Sequence, residues 1–389
     1  MEDSSAPIMR AVIEDRLYLV QGIDTLPPSE SFRWFKPHDS IKYCPLCDDF
    51  GPLNMASVLA FSEQLEAELS AHPCCRFFYR ADDGARALTN AIFLLGAYMI
   101  LMIGSYPDDV AECFSWLEPS QFQDYRDATF SQPDFGLTLL DCWRGLQRGK
   151  TIGWVKRSST NDDLWGRIFA EEYTHYDCPL NGDLHEVVPG KFVAFKGPQD
   201  LGGKSYRDGL VGTRCFSPSH YAGIFADLRV DLVVRLNAPE YDADEFVRGG
   251  LRHIDLPFDD CASPPPAVAN AFLRAAEAAQ GAVAVHCKAG LGQTGTLIAL
   301  YMMKHHGFTA REAMGWLRIM RPGSVMGQQQ HYLCSAEQPR HKEGPPADPT
   351  CDARAAAAAT MAADVAAGMP RRAAAASGSR RRCDGTYPL

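Results

Sequence analysis

The sequence predicts an α/β protein of two successive units followed by a low-complexity tail. Three observations carry this. Short β-branched or aromatic runs alternate with helical-period segments in both halves. A polar stretch, Ser158 to Asp163, separates the halves. After Gln338 the chain turns to prolines, alanine runs and arginine pairs. Boundaries follow at 10–157, a linker at 158–180, a second unit at 181–338 and a tail at 339–389.

In the first unit, Arg16–Gln21 alternates as a strand does, and Cys75–Tyr79 is a second strand. Phe50–Leu69 reads as a loop leading into an amphipathic helix. Thr89–Met102, Asp108–Trp116 and Leu137–Arg148 are helical by period. Leu164–Tyr176 reads as a linking helix carrying Glu171 and Glu172. In the second unit Lys191–Phe195, Asp231–Leu236 and His253–Leu256 are strands, and Pro265–Gln280 is a helix with proline at its start. Thr309 and Glu312 form a capping box that opens a helix over 310–318. The tail is expected to be disordered. Its Arg371–Arg372 pair and Arg380–Arg382 triplet suit either a solvated basic tail or a nuclear import signal.

The totals limit the function classes. The 389 residues carry a net charge of −10, which argues against general nucleic-acid binding and leaves room for basic peptide partners. Thirteen cysteines without a spacing framework read as reduced intracellular thiols. The longest apolar run, Ala91–Ile103, is too short for a membrane span. Cys44 and Cys47 form a CxxC without further metal ligands nearby; no metal or cofactor is expected.

The chemistry concentrates at Ala282–Leu300, AVAVHCKAGLGQTGTLIAL. A buried strand passes through His286 and Cys287 into a glycine-rich loop and then into a helix. Lys288, Ala289, Gly290, Leu291 and Gly292 would form the cradle. Loop amides and the helix N-terminus make it an anion site, and they should lower the pKa of Cys287. A thiolate beside a phosphate cradle is the core of a cysteine phosphatase. His286 would orient the loop, and Thr294 is placed to donate its hydroxyl to the sulfur. An acid must come from elsewhere to protonate the leaving oxygen. Leu256–Pro264 supplies it, through Asp259 or Asp260, in a loop at the end of a strand. Cys74…Arg80 and Cys142…Arg148 match the Cys-x5-Arg spacing too, but neither has the glycines.

HCKAGLGQTGTLIA and RPGSVMGQQQ (321–330) resemble the cell-division-cycle-fourteen family of dual-specificity protein phosphatases. So do DRLYLV, FGPLNMA, FLLGAY, RDATF, NGDLHEVVPGKFVAF and VVRLN, in family order over roughly residues 10 to 335. The resemblance implies two tandem dual-specificity-phosphatase-like domains joined by a linker helix, the first without a catalytic loop. It implies hydrolysis of phosphoserine-proline, and of phosphotyrosine or phosphothreonine, in phosphorylated protein substrates with a nearby basic residue. It places the nucleophile at Cys287 and the general acid at Asp260. Gln329 and Gln330 fall in the loop that places the hydrolytic water, and Glu171, Glu172 and Asp177 in or near an acidic groove. Family members work in nucleus and cytoplasm and at centrosomes, spindles or basal bodies.

Five positions depart from the family pattern. Gln293 stands where the phosphate-loop arginine belongs. Cys261 replaces a glycine of the acid loop, Thr174 and Leu180 replace acidic residues, and Gln328 replaces a proline. An arginine meeting a phosphoryl transition state is worth on the order of 10³–10⁵ in rate, or roughly 4–7 kcal/mol. Two readings follow: a phosphatase crippled by Gln293, or a pseudophosphatase that binds phosphorylated proline-directed sites without turnover. A purely structural scaffold is a third.

Overall fold

The first half of the chain opens with strands β1 (Ile8–Ile13), β2 (Leu17–Gln21) and β3 (Phe32–Phe35). Helix α1 (Met55–Ala71), strand β4 (Arg76–Arg80) and helices α2 (Ala85–Tyr98), α3 (Pro107–Cys113) and α4 (Leu139–Ile152) follow. The strands form one sheet in the order β1-β2-β4-β3, parallel except for the β1–β2 pair. The computed structural model describes residues 7–25, 29–157, 164–209 and 212–337. The boundary at 158–163 and the tail from 339, with its arginine pairs, lie outside them.

The second half begins with a short hairpin, β5 (Leu164–Trp165) and β6 (Ile168–Phe169), then helix α5 (Ala170–Asp177). The linking helix expected over 164–176 is therefore only half helix. Gly166, in the left-handed region at φ +70°, makes the turn that splits it. Next come β7 (Leu184–Val188), β8 (Phe192–Phe195), β9 (Tyr206–Asp208), β10 (Arg214–Phe216), helix α6 (Pro218–Asp227), β11 (Val230–Arg235), helix α7 (Asp244–Arg248) and β12 (Arg252–Asp255). Helix α8 (Pro266–Ala278), β13 (Ala282–His286) and helices α9 (Gly292–His306), α10 (Ala310–Met320) and α11 (Gln328–Ala336) complete the fold.

The main sheet runs β12-β11-β13-β8-β7, with only the β7–β8 pair antiparallel. Strand β13 lies at its centre. Val283 and Val285 face one apolar cluster, while Ala282 and Ala284 face another. Burial on both faces is why AVAVH reads as a continuous apolar run. The larger cluster runs from the first half into the second, so the halves share one core.

Helices α4 and α10 bring the halves into backbone contact. A Cβ at Gly145 would lie 2.4 Å from the Glu312 carbonyl oxygen, and one at Gly315 would lie 2.8 Å from the Asp141 carbonyl oxygen. Only glycine allows that approach. The capping box of Thr309 and Glu312 forms as expected, and Thr138 with Asp141 forms a second on α4.

Helix α2 continues into a π-turn at Met99–Ile103, making a helical stretch longer than the sequence suggests. By length and composition it passes as a bilayer span, but 72% of that window is buried within the protein. It is a core helix. The CPLC segment is a turn whose Leu46 and Cys47 amides donate to Asp49 Oδ1 at 3.0 and 2.7 Å.

Candidate active site

Strand β13 delivers Cys287 to the base of a loop that ends at the first turn of α9. Cys287 is 3% exposed. Each carbonyl of residues 287–291 has a donor outside the cradle. His286 Nδ1 bonds the Cys287 carbonyl at 2.9 Å. The Gly197 amide donates to the Lys288 carbonyl at 3.1 Å. Arg321 donates to the carbonyls of Ala289 at 3.0 Å and Gly290 at 2.8 Å. The Gly295 amide donates to the Leu291 carbonyl at 2.8 Å. In a trans peptide the N–H points opposite to the C=O. With five carbonyls held away, the amides of Lys288 through Gly292 turn to the other side, which is the anion cradle. Gly290 is obligatory here: φ is +70°, and a Cβ would lie 2.0 Å from the Phe195 carbonyl oxygen.

His286 is fixed from both ends. Its Nε2 bonds Tyr241 Oη at 2.8 Å, and Tyr241 Oη bonds His253 Nε2 at 2.9 Å. With Nδ1–H donated to the Cys287 carbonyl, Nε2 accepts from the tyrosine, which accepts from His253. Burial pushes the His286 pKa down to about 3, so the ring is neutral. His286 thus bonds the loop at the Cys287 carbonyl, where the sequence expectation placed an orienting hydrogen bond.

Thr294 departs from expectation. Its hydroxyl is buried without a hydrogen-bond partner among the described residues, so the anticipated bond to Cys287 Sγ is not formed. Thr294 lies in the first turn of α9, where it is fully buried.

Gln293 is 2% exposed, and its amide is already engaged. Nε2 donates to the Phe258 carbonyl at 2.7 Å and to the Asp259 carbonyl at 3.3 Å. Both belong to the acid loop. On the far side of that loop, Gln329 Nε2 donates to the Ala262 carbonyl at 3.2 Å. Asp260 lies between these anchors, exposed, with Oδ1 accepting from the Cys261 amide at 3.0 Å. Cys261 adopts φ +59°. A side chain in that region costs roughly 1–2 kcal/mol relative to glycine. Burial, with the charges of Asp260 and Cys287 nearby, raises its thiol pKa.

The two glutamines part company. Gln329 reaches the acid loop and also lies close to the start of α9, where a Cβ on Gly292 would be 2.8 Å from its Oε1. Gln330 turns away: its Oε1 accepts from the buried Arg318 at 2.7 Å, and its Nε2 donates to the Gly327 carbonyl at 3.2 Å. Gln328 is bonded to Asp134 at 3.1 Å.

A cavity of about 770 Å³ opens beside the loop, lined by Leu46, Thr174, Asp177, Asp183, Ala289 and Leu291 among others. Of the expected acidic groove, Asp177 lines it. Glu172 lines a separate small cavity with Arg167 and Tyr176, and Glu171 is exposed on α5. Asp177 has partners of its own, His185 Nε2 at 2.9 Å and Asn54 Nδ2 at 3.0 Å.

Residues 11–149 match the family model described as dual specificity protein phosphatase, N-terminal half, and residues 248–339 that described as dual specificity phosphatase, catalytic domain. The "Dual specificity protein phosphatase CDC14C" of Homo sapiens is 35% identical over 323 residues, covering 82% of this chain and 69% of that protein. The chain belongs to the CDC14 family of dual-specificity protein phosphatases. The "Dual specificity protein phosphatase CDC14A" of Mus musculus is 36% identical over 82% of this chain and 51% of its own length. The "Tyrosine-protein phosphatase CDC14" of Saccharomyces cerevisiae is 34% identical over 82% of this chain and 57% of its own. The chain thus spans about half to two thirds of the length of these CDC14 relatives.

In this chain the first half reaches the segment that opens α11. Asp127 Oδ2 accepts from the Gly327 amide at 2.7 Å, at the entry to the glutamine loop. Sequence reading placed RDATF among the family motifs but gave Asp127 no role. The two residues are 200 apart in sequence, and no local pattern signals such a bond. Arg318 and Arg321 were missed for the same reason. A buried arginine in an apolar helix was the available clue.

Proposed function

We propose that this chain is a cysteine-dependent protein phosphatase whose turnover is strongly lowered by Gln293. Cys287 attacks the phosphoryl phosphorus, and the bond to the substrate oxygen breaks as Asp260 gives that oxygen a proton. Water placed with the help of Gln329 then cleaves the phosphocysteine, the proton passing to Asp260. The cradle amides of Lys288 to Gly292 carry the phosphoryl oxygens. Thr294 Oγ1, buried and unpartnered, is free to donate to the sulfur once it carries charge.

The observation that carries the reading is the placement of the Gln293 amide. It is committed to the Phe258 and Asp259 carbonyls. A neutral amide that latches the acid loop cannot also supply the charged fork that a transferring phosphoryl group calls for. Binding and loop closure are retained, while charge stabilisation is lost.

The substrates are phosphorylated proteins bearing phosphoserine followed by proline, with a basic residue beyond; phosphotyrosine and phosphothreonine are also taken. Support comes from the cavity beside the loop. Leu46, Ala128 and Leu291 converge around Gly323, an apolar rim suited to proline. Asp177 and Asp183 also line the cavity, paired with His185 and Arg321 respectively. Its work lies in cell-cycle or microtubule-organising-centre control, in nucleus and cytoplasm. The intact Cys287 cradle also favours the second reading, a pseudophosphatase that holds such sites without cleaving them. Peptide binding with turnover that Cys287→Ser does not change would select it. Turnover abolished by Cys287→Ser and raised by Gln293→Arg supports the first.

A further inference from the structure

Behind the phosphate loop runs a buried chain of hydrogen bonds that the reaction scheme leaves without a role. Arg321, 3% exposed at the end of α10, holds the Ala289 and Gly290 carbonyls. The same guanidinium donates to Asp183 Oδ1 at 2.8 Å and to His185 Nδ1 at 3.0 Å. His185, on β7, bonds Asp177 Oδ1 through Nε2 at 2.9 Å. Asp177, at the end of α5, accepts from Asn54, the N-cap of α1 in the first half.

The chemistry allows only one proton arrangement. A guanidinium donates and never accepts. His185 Nδ1 must therefore be the acceptor, and the ring proton sits on Nε2, donated to Asp177. We propose that neutral His185 is a positioning residue for the phosphate loop, holding the Arg321 guanidinium at the angle that turns the Ala289 and Gly290 carbonyls away from the cradle. This rests on the reading of that loop as a phosphate cradle.

A proton on Nδ1 would point at the guanidinium and break the chain at its centre. The groups that face the ring are Asp177, Asp183 and Arg321, with the Tyr173 ring tilted against it at 4.7 Å between centroids. Burial first, and the Arg321 charge with it, hold the His185 pKa below its ordinary value. Burial works to raise the Asp177 carboxyl, but the His185 and Asn54 bonds and the Arg321 charge outweigh it and hold it below the usual range. Both shifts keep the pair in the protonation states the chain requires.

The test measures sulfate binding by calorimetry on the full chain, on His185→Leu, and on His185→Asn, whose amide can both accept and donate. His185→Leu should weaken binding by about tenfold, the scale on which outer partners act on a bound group, and His185→Asn should restore it. From about pH 7.5 to about pH 4.5, below the ordinary histidine value of about 6.5, the unmodified chain should lose affinity faster than His185→Asn. Equal affinity in all three chains at both pH values overturns the role of His185 and leaves the cradle standing. Absence of sulfate binding by the unmodified chain overturns the cradle itself, and the positioning role with it.

Discussion

Gln293 Nε2 donates to the carbonyl oxygen of Phe258 at 2.7 Å, tying the helix that follows the phosphate loop to the loop that carries Asp260. The side-chain amide of Gln293 is thus engaged by the loop that carries Asp260. The acid loop has a second tie at Gln329 and Ala262. Asp260 hangs between the two, and both its neighbours and its exposure suit a group that meets substrate from outside.

The contact between Asp127 and Gly327 ties the first half to the segment that carries Gln329. A buried carboxylate accepting from a backbone N–H is worth roughly 1.5–3 kcal/mol, about a factor of ten or more. Asp127→Ala should therefore lower kcat by about tenfold in a Gln293→Arg background with little change in KM. Steady-state kinetics with a phosphoserine-proline peptide checks this. Unchanged kcat would separate the glutamine loop from Asp127.

The left-handed backbone at Cys261 predicts that Cys261→Gly stabilises the chain by about 1 kcal/mol, since glycine enters that region without the Cβ penalty. The urea midpoint is the measure. A lower midpoint would mean that the Cys261 side chain contributes packing larger than its strain.

His286 gives stability a pH dependence of known sign. Its folded pKa is about 3 because burial disfavours the charged ring. The ordinary value is about 6.5. Below about pH 6.5 the unfolded chain takes up a proton that the folded chain refuses, so stability falls as pH drops toward about 3. Burial lowers His185 too, and its contribution has the same sign. Between about pH 6 and pH 5, His286→Asn should reduce the slope of unfolding free energy by up to about 1.4 kcal/mol per pH unit, one proton's worth. Parallel slopes for the two chains would show that His286 titrates normally in the fold.

Much of this was legible in the sequence because it is local. AVAVHCKAGLG announces a buried strand and a glycine turn within eleven residues, and the Thr309–Glu312 box announces a helix start within four. The hairpin at Leu164–Phe169 was not legible, since two-residue strands have no period to detect. Asp177 was read as a groove acid. The structure gives it His185, eight residues on, and Asn54, 123 residues back, and only the second half of that pair of distances spans the two halves of the chain. Thr294 shows the reverse error: its spacing from Cys287 suggested a bond that the packed helix does not make. The direction of a side chain such as Gln293 depends on a loop 35 residues away, and sequence neighbours carry no trace of it.

On the proposed reading, the cradle is assembled and its charged fork is missing. The direct measurement is turnover of a phosphoserine-proline-x-lysine peptide by the unmodified chain, by Gln293→Arg and by Gln293→Arg with Cys287→Ser. Gln293→Arg should raise kcat by on the order of 10³ or more, and loss of Cys287 should abolish that gain. Equal kcat for the unmodified chain and Gln293→Arg would contradict the account.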